Sequence, residues 1–190
     1  MVLSDTQEEI VDCAARRRYP IILVNGFAGT GKSVIVREIA DRIENVLLAC
    51  HSGIASNNIG GQTICSLFGI PTHCAIDPNQ RRLWVERQKD KKTAHFMPTQ
   101  RYQAVVAANY LILDEVYATR CDHMDFIDKA LRDARKQPQI PFGGLGLLMV
   151  GDEGQAAPIT ADDLEDLLGY GYRHPFDFRQ AKVFKCAVET

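Results

Sequence analysis

The sequence has no apolar run approaching the roughly 18 residues that a bilayer-spanning helix requires. Its first residues, Met1-Val2-Leu3-Ser4-Asp5, lack both the basic start and the apolar stretch of a secretory signal. An intracellular, soluble protein without a membrane partner is the expectation. Six cysteines stand at 13, 50, 65, 74, 121 and 186, and none forms a CxxC pair. Zinc requires clustered Cys and His pairs, and the adjacent His73-Cys74 has the wrong spacing, so reduced, unpaired thiols are expected. There is no internal repeat, no low-complexity stretch and no excess of one charge. With 22 Lys and Arg against 24 Asp and Glu, the formal net charge is −2. Global charge therefore gives no indication of a nucleic-acid partner. The local basic clusters, Arg16-Arg17-Arg18, Arg81-Arg82 and Lys89-Asp90-Lys91-Lys92, read as solvated faces. What remains is an ordinary globular composition, 46% apolar and 24% charged, in a 190-residue chain that suits one domain.

Within that composition, short apolar runs alternate with helical periodicity. Ile10, Val11, Ala14 and Ala15 predict an amphipathic helix over about 4–18. The bounded apolar runs 21–24, 46–50, 110–113 and 147–150 predict four buried strands. Ile35, Ile39 and Ile43 recur every four residues between the first two strands. Met124, Ile127, Leu131 and Ala134 predict a helix over about 122–136. Pro138, Pro141 and Gly143-Gly144 break the chain before the last strand. Continuously apolar strands alternating with helices indicate an α/β fold, with a mostly parallel sheet and helices on both faces. In such sheets ligands sit beyond the carboxyl ends of the strands.

Every chemically suggestive segment falls there. Gly26-Phe27-Ala28-Gly29-Thr30-Gly31-Lys32-Ser33 matches GxxxxGK[ST] between a predicted strand and a predicted helix, the context this phosphate-binding loop needs. Glycines allow backbone N–H groups to face inward around phosphates, and the start of the following helix adds positive potential. Lys32 would reach the outer phosphates of ATP, and the Ser33 hydroxyl would ligate Mg²⁺. Asp114-Glu115 closes the strand 110–113. Asp114 is expected to hold the metal and Glu115 to act as general base on the attacking water. A further strand ends in Gly151-Asp152, followed by Gln155, whose neutral amide could hydrogen-bond the γ-phosphate or its attacking water.

Taken in order, the segments GFAGTGKS, GIASNNIGGQTICSLFGI, LILDEV, and PFGG with LLMVGDEGQAAPI resemble the Pif/RecD-type 5′→3′ helicases of superfamily 1 (group 1B). The resemblance runs over about residues 3–188. It implies a RecA-like P-loop NTPase fold, with residues 1–190 as the first motor domain (1A) of an ATP-dependent DNA helicase of the repair, recombination or replication type. It also implies that Gln7 reads adenine, that Gln155 is the γ-phosphate sensor, and that Ser52-Gly53 and Gly61-Gln62-Thr63 contact single-stranded DNA. A second RecA-like domain, not encoded in this stretch, would supply arginines to the γ-phosphate, so this chain alone should be weakly active and bind a strand weakly. The bland alternative for Gln7 is an exposed helix position. For Ser52 and Thr63 it is helix capping. The sequence departs from the family pattern at Ser52 (usually Thr), Cys65 (usually His), Glu153 (usually apolar or aromatic) and Ala156-Ala157-Pro158 (usually Leu-Pro-Pro). Two other functions remain open at this point. A small P-loop kinase would need an arginine-bearing lid and gives Gln155 no role. An ATP-dependent binding module without turnover would not need Lys32, Ser33, Asp114 and Glu115 all intact.

Overall fold

The computed structural model describes residues 3–70, 75–77, 99–155 and 163–185. His73-Cys74, Arg81-Arg82, the 89–92 cluster, Ala156-Ala157-Pro158 and Cys186 lie outside the described residues. Four parallel strands occupy the four apolar runs: β1 (Ile21–Asn25), β2 (Val46–Cys50), β4 (Tyr110–Asp114) and β5 (Gly146–Gly151). A two-residue strand, β3 (Gln62–Thr63), pairs with the end of β2. The sheet order is β1-β5-β4-β2-β3, all parallel.

Successive side chains on a strand point to opposite faces, and the two faces of this sheet have separate cores. On one face Tyr110, Ile112, Leu148 and Val150 pack against Val11 and Ala14 of α1 (Asp5–Ala15) and Ile35, Val36 and Ile39 of α2 (Lys32–Arg42). On the other, Leu111, Leu113, Leu147 and Met149 meet α4 (Ile64–Phe68), α5 (Thr99–Ala107) and α6 (Cys121–Arg135). Every residue of β5 is buried, which is why its sequence is apolar without alternation. Each fully buried Leu, Ile or Val stabilises the fold by about 1.5–3 kcal/mol relative to exposure. The expected α/β architecture with helices on both faces is therefore present.

The first helix is shorter than expected. It stops at Ala15, and Arg17 takes a left-handed conformation (φ 48°) and donates to the carbonyl of Asn109. Part of the arginine triplet is thus a turn brace and not a helical face. Two short helices, α3 (Gly53–Ile59) and α7 (Leu164–Gly169), and α8 (Lys182–Lys185) complete the described elements, together with three single turns of 3₁₀ helix.

Helix α6 organises the far face through three carboxylates at a spacing of three. Asp122 receives Arg120 in a two-pronged pair (2.9 and 2.6 Å) and the Ile76 amide (2.9 Å), while Arg120 also pairs with Asp163 at 2.8 Å. Asp125 accepts from the Tyr172 hydroxyl and the amides of Lys182 and Val183. Asp128 accepts from Arg132 and the Phe142 amide. One helix thereby pins three distant segments against the sheet. Among the described residues no helix is long and apolar enough to cross a membrane.

Candidate active site

The glycine-rich loop leaves the sheet beside β5, where the Gly26 amide donates to the Gly151 carbonyl at 3.1 Å. A turn follows, closed by the Thr30 amide and hydroxyl on the Phe27 carbonyl (3.3 and 2.8 Å). Gly31 caps α2 with φ 85°, a conformation that L side chains rarely adopt. A Cβ there would also come within 2.5 Å of Gln7 Nε2. The loop is thus shaped for backbone to approach a ligand, and the first turn of α2 carries no acidic residue to offset the helix dipole. The Lys32 ammonium lies inside the loop, donating to the carbonyls of Gly26 (2.5 Å) and Phe27 (2.8 Å).

Gln7 is placed over this loop by α1. Its Oε1 accepts from the Ser4 amide and its own amide donates to Ser4 Oγ, a reciprocal capping box. With the oxygen engaged, the amide nitrogen faces Gly31. The half-buried Gln7 is therefore a structural cap and also a neighbour of the phosphate loop.

Asp114 ends β4, the strand beside β5, and its Oδ1 accepts the Glu115 amide at 2.9 Å. Burial pushes the Asp114 carboxyl above its usual range, with that amide bond opposing, the Glu115 charge adding to the rise, and Lys32 opposing again. Glu115 then turns into the left-handed region (φ 55°, ψ 38°), costing on the order of 1–2 kcal/mol for a residue with a Cβ. Its carboxylate reaches the loop after β2, where Ser52 Oγ donates to Oε2 at 3.1 Å. Past β5, a tight turn runs from Asp152 to Gln155, closed by the Gln155 amide on the Asp152 carbonyl (3.1 Å) and the Gly154 amide on Asp152 Oδ1 (3.0 Å). The Glu153 amide donates to Asn25 Oδ1 at 3.3 Å, which holds this turn beside the base of the phosphate loop. The exposed Gln155 side chain is thus presented at the same edge as Lys32.

The two segments expected to face a DNA strand also leave the carboxyl ends of neighbouring strands. Ser52 caps α3 by accepting the Ala55 amide (3.2 Å), and Thr63 caps α4 by accepting the Ser66 amide (3.1 Å). Capping is thus one role of both hydroxyls, though accepting a bond leaves each with its proton. Gly61 lies so close to β2 that a Cβ would meet the Leu48 carbonyl oxygen at 2.6 Å. Gln62 is exposed on β3.

A family model described as PIF1-like helicase matches residues 2–166. The chain belongs to the PIF1-like helicase family. It is 32% identical over 166 residues to the ATP-dependent DNA helicase PIF1 of Saccharomyces cerevisiae (strain YJM789), covering 84% of this chain and 18% of that protein. Against the ATP-dependent DNA helicase RRM3 of Saccharomyces cerevisiae (strain ATCC 204508 / S288c) it is 29% identical over 177 residues, covering 90% of this chain and 22% of that one. The crystal structure of Bacteroides sp Pif1 in complex with ADP-AlF4 superposes with a TM-score of 0.82 at 30% identity, over 98% of this chain and 40% of that chain. Bacteroides Pif1 bound to ssDNA gives 0.80 at the same identity. The chain thus spans about a fifth of the length of these curated relatives.

Among the places where this PIF1-like domain departs from the expected pattern, Glu153 has a clear local reason. It pairs with Arg179 Nη2 at 2.9 Å, and the guanidinium also bonds Asp177 and stands 5.7 Å over the Tyr117 ring. An ion pair over an aromatic ring braces the Gln155 turn. The triplet Phe178-Arg179-Gln180 looks in sequence like an arginine motif of a second domain, but its position gives it no role there, and the pairing of Arg179 with Glu153 was not legible because the two lie far apart in the chain. Cys65, half-buried on α4, has its thiol pushed up by burial. Nothing described explains its presence in place of histidine.

Proposed function

We propose that this chain is the ATP-binding first motor domain of a DNA helicase, one that couples ATP hydrolysis to 5′→3′ movement on single-stranded DNA in the complete protein. The observation that carries the reading is convergence. The phosphate loop, the Asp114-Glu115 pair, the Gln155 turn and Ser52 leave the ends of β1, β4, β5 and β2, and hydrogen bonds join the first to the third and the second to the fourth. A metabolite kinase has no use for that last connection.

In this reading the amides of 26–31 and the Lys32 ammonium bind the phosphates of ATP, and Gln7 meets the adenine. Ser33 and Asp114 are the oxygen donors suited to Mg²⁺, which when bound adds positive charge to the transferring phosphoryl group. Their chemistry fits a hard cation, since both donors are oxygens and the Asp114 carboxyl, raised by burial, would be favoured in its charged form beside one. Glu115 accepts the proton of the attacking water, and Gln155 orients against the γ-phosphate. Ser52, Gly53, Gly61, Gln62 and Thr63 contact the strand backbone, positioning it without reading its sequence. A second RecA-like domain contributes arginines that neutralise charge in the transition state.

The test is ATP turnover by the complete protein with and without single-stranded DNA, for wild type and Glu115→Gln. Strand-stimulated turnover that the substitution reduces by about 10²-fold or more is expected, as for loss of a positioned general base. Turnover indifferent to DNA would favour the kinase reading, and no turnover at all would favour a binding module.

A further inference from the structure

We propose that Ser52 is a positioning residue that restrains Glu115 until a DNA strand engages the loop after β2. This rests on the reading of Glu115 as general base and of Ser52-Gly53 as strand-facing. It adds a physical route by which strand contact changes the rate of ATP hydrolysis.

The juxtaposition is set by strand register. Cys50 of β2 pairs with Asp114 of β4, so the residues just past these partners emerge side by side. Ser52 is then held at both its carbonyl and its hydroxyl. Its carbonyl accepts from the Cys50 thiol (2.9 Å) and the Ser56 amide (3.0 Å), and its hydroxyl oxygen accepts from the Ala55 amide (3.2 Å). The first is a bond across the loop and the other two belong to the first turn of α3. With the oxygen anchored, the hydroxyl has one proton left, and that proton points to Glu115 Oε2 at 3.1 Å.

A hydroxyl donated to the Glu115 carboxylate occupies one of its two oxygens, which is then less free to meet a water. It also turns the carboxylate toward α3. Glu115 arrives there on a left-handed backbone, which limits the other directions in which its side chain can leave the chain. Lys32, occupied with the carbonyls of Gly26 and Phe27, is in a comparable state. Two central groups of the site are therefore tied to protein partners.

The restraint on Glu115 is built to be lost. At 3.1 Å it is slightly longer than the usual 2.5–3.0 Å range for O–H···O bonds. Because the Ser52 oxygen is held by the first turn of α3, any shift of that helix when a strand packs on the loop moves the donor. A phosphate oxygen that accepts the Ser52 proton takes it from Glu115 directly, since one hydroxyl cannot donate to both. Strand contact and restraint of the base are mutually exclusive uses of the same hydrogen.

The experiment measures steady-state ATP turnover of the complete protein, without DNA and with saturating oligo(dT), for wild type, Ser52→Ala, Ser52→Gly and Ser52→Thr. Glycine is nearly as good a helix cap as serine, so that variant tests the restraint even if the alanine variant folds poorly. Both Ala and Gly are expected to raise DNA-free turnover by about ten-fold, the least that a hydrogen bond to a charged group is worth, and to shrink the DNA stimulation ratio accordingly. Ser52→Thr, which keeps a donor, is expected to bring the ratio back. A purely structural role for Ser52 would change unfolding midpoints while leaving that ratio alone. DNA-free turnover that stays level or falls in both hydroxyl-free variants overturns the restraint. Adding Glu115→Gln to each variant separates the two layers. If it abolishes turnover while the Ser52 variants show no rise, the base reading stands and the restraint falls. If the raised turnover survives it, Glu115 is not the base and both fall.

Discussion

Lys32 is the residue on which nucleotide binding depends most directly. Its ammonium is held by two carbonyls of the loop that it would leave for phosphate oxygens, exchanging neutral acceptors for charged ones. Lys32→Ala should therefore weaken ATP binding by at least about ten-fold while the sheet stays folded, as read by calorimetric titration beside a circular dichroism spectrum. Equal ATP affinity in both proteins would remove the phosphate-loop assignment. The roles of Lys32, Ser33, Asp114 and Glu115 could be argued from the sequence because each stands in a short contiguous motif next to an apolar run. Gln7 and Gln155 are less local, and their placement at the loop depends on a capping box and on the Asn25 side chain. The Ser52–Glu115 bond was not legible at all. It depends on which residue of β2 stands opposite which residue of β4, and no single segment encodes a register.

At the scale of elements, the four long strands were legible because each holds a run of apolar residues, wholly buried in β5 and mostly buried in β4. Strand β3 was not, since two residues have no periodicity, and its pairing comes from the close approach of Gly61 to Leu48. Helix α6 showed its apolar stripe, but the Asp122, Asp125 and Asp128 series that ties down three segments looks like an ordinary solvated face. The amino end of α6 also contributes to how the domain responds to acid. His123 is buried with Nε2 unpartnered, and burial first, then Arg120 and His51 against the opposing Asp122, push it down to about 4 from 6.5. The folded state thus disfavours the imidazolium, and the unfolded chain takes up more protons between those values. Stability from this group is complete above pH 6.5 and is lost as pH falls toward 4. The expected loss between pH 7 and pH 5 is about 2 kcal/mol. Urea unfolding of wild type and His123→Leu at both pH values checks it, because the variant should lose that much less stability. His51 is shifted in the same direction, chiefly by burial, so part of the acid sensitivity should remain in the variant. Identical pH dependence in the two proteins would show that His123 is not the sensitive group.

For the whole molecule, the site described is one-sided. It offers loop amides, Lys32, oxygen donors for a metal and an amide sensor, all on one domain. An arginine contributed from outside such a site is worth about 10³–10⁵ in rate in related phosphoryl-transfer enzymes. Residues 1–190 by themselves should bind ATP, hydrolyse it poorly, and hold single-stranded DNA weakly, with affinity falling steeply as salt rises. Steady-state turnover and duplex unwinding, compared between this stretch and the complete protein, test the point. Unwinding by residues 1–190 alone would show that no second domain is needed.

The sheet order has a consequence for how the molecule comes into being on the ribosome. Strand β1, which carries the phosphate loop, precedes β2 and β4 in the chain, yet among the described residues its one neighbour in the sheet is β5, with Ile21 opposite Leu147. Non-local parallel pairing of this kind is slow, because the loop between the partners must close before any contact rewards it. During synthesis the Gly26–Ser33 segment emerges early and waits unpaired while β2 and β4 can already find one another. Competence to hold a nucleotide is thus acquired only once β5 has been made, although its signature precedes β2 and β4 in the chain.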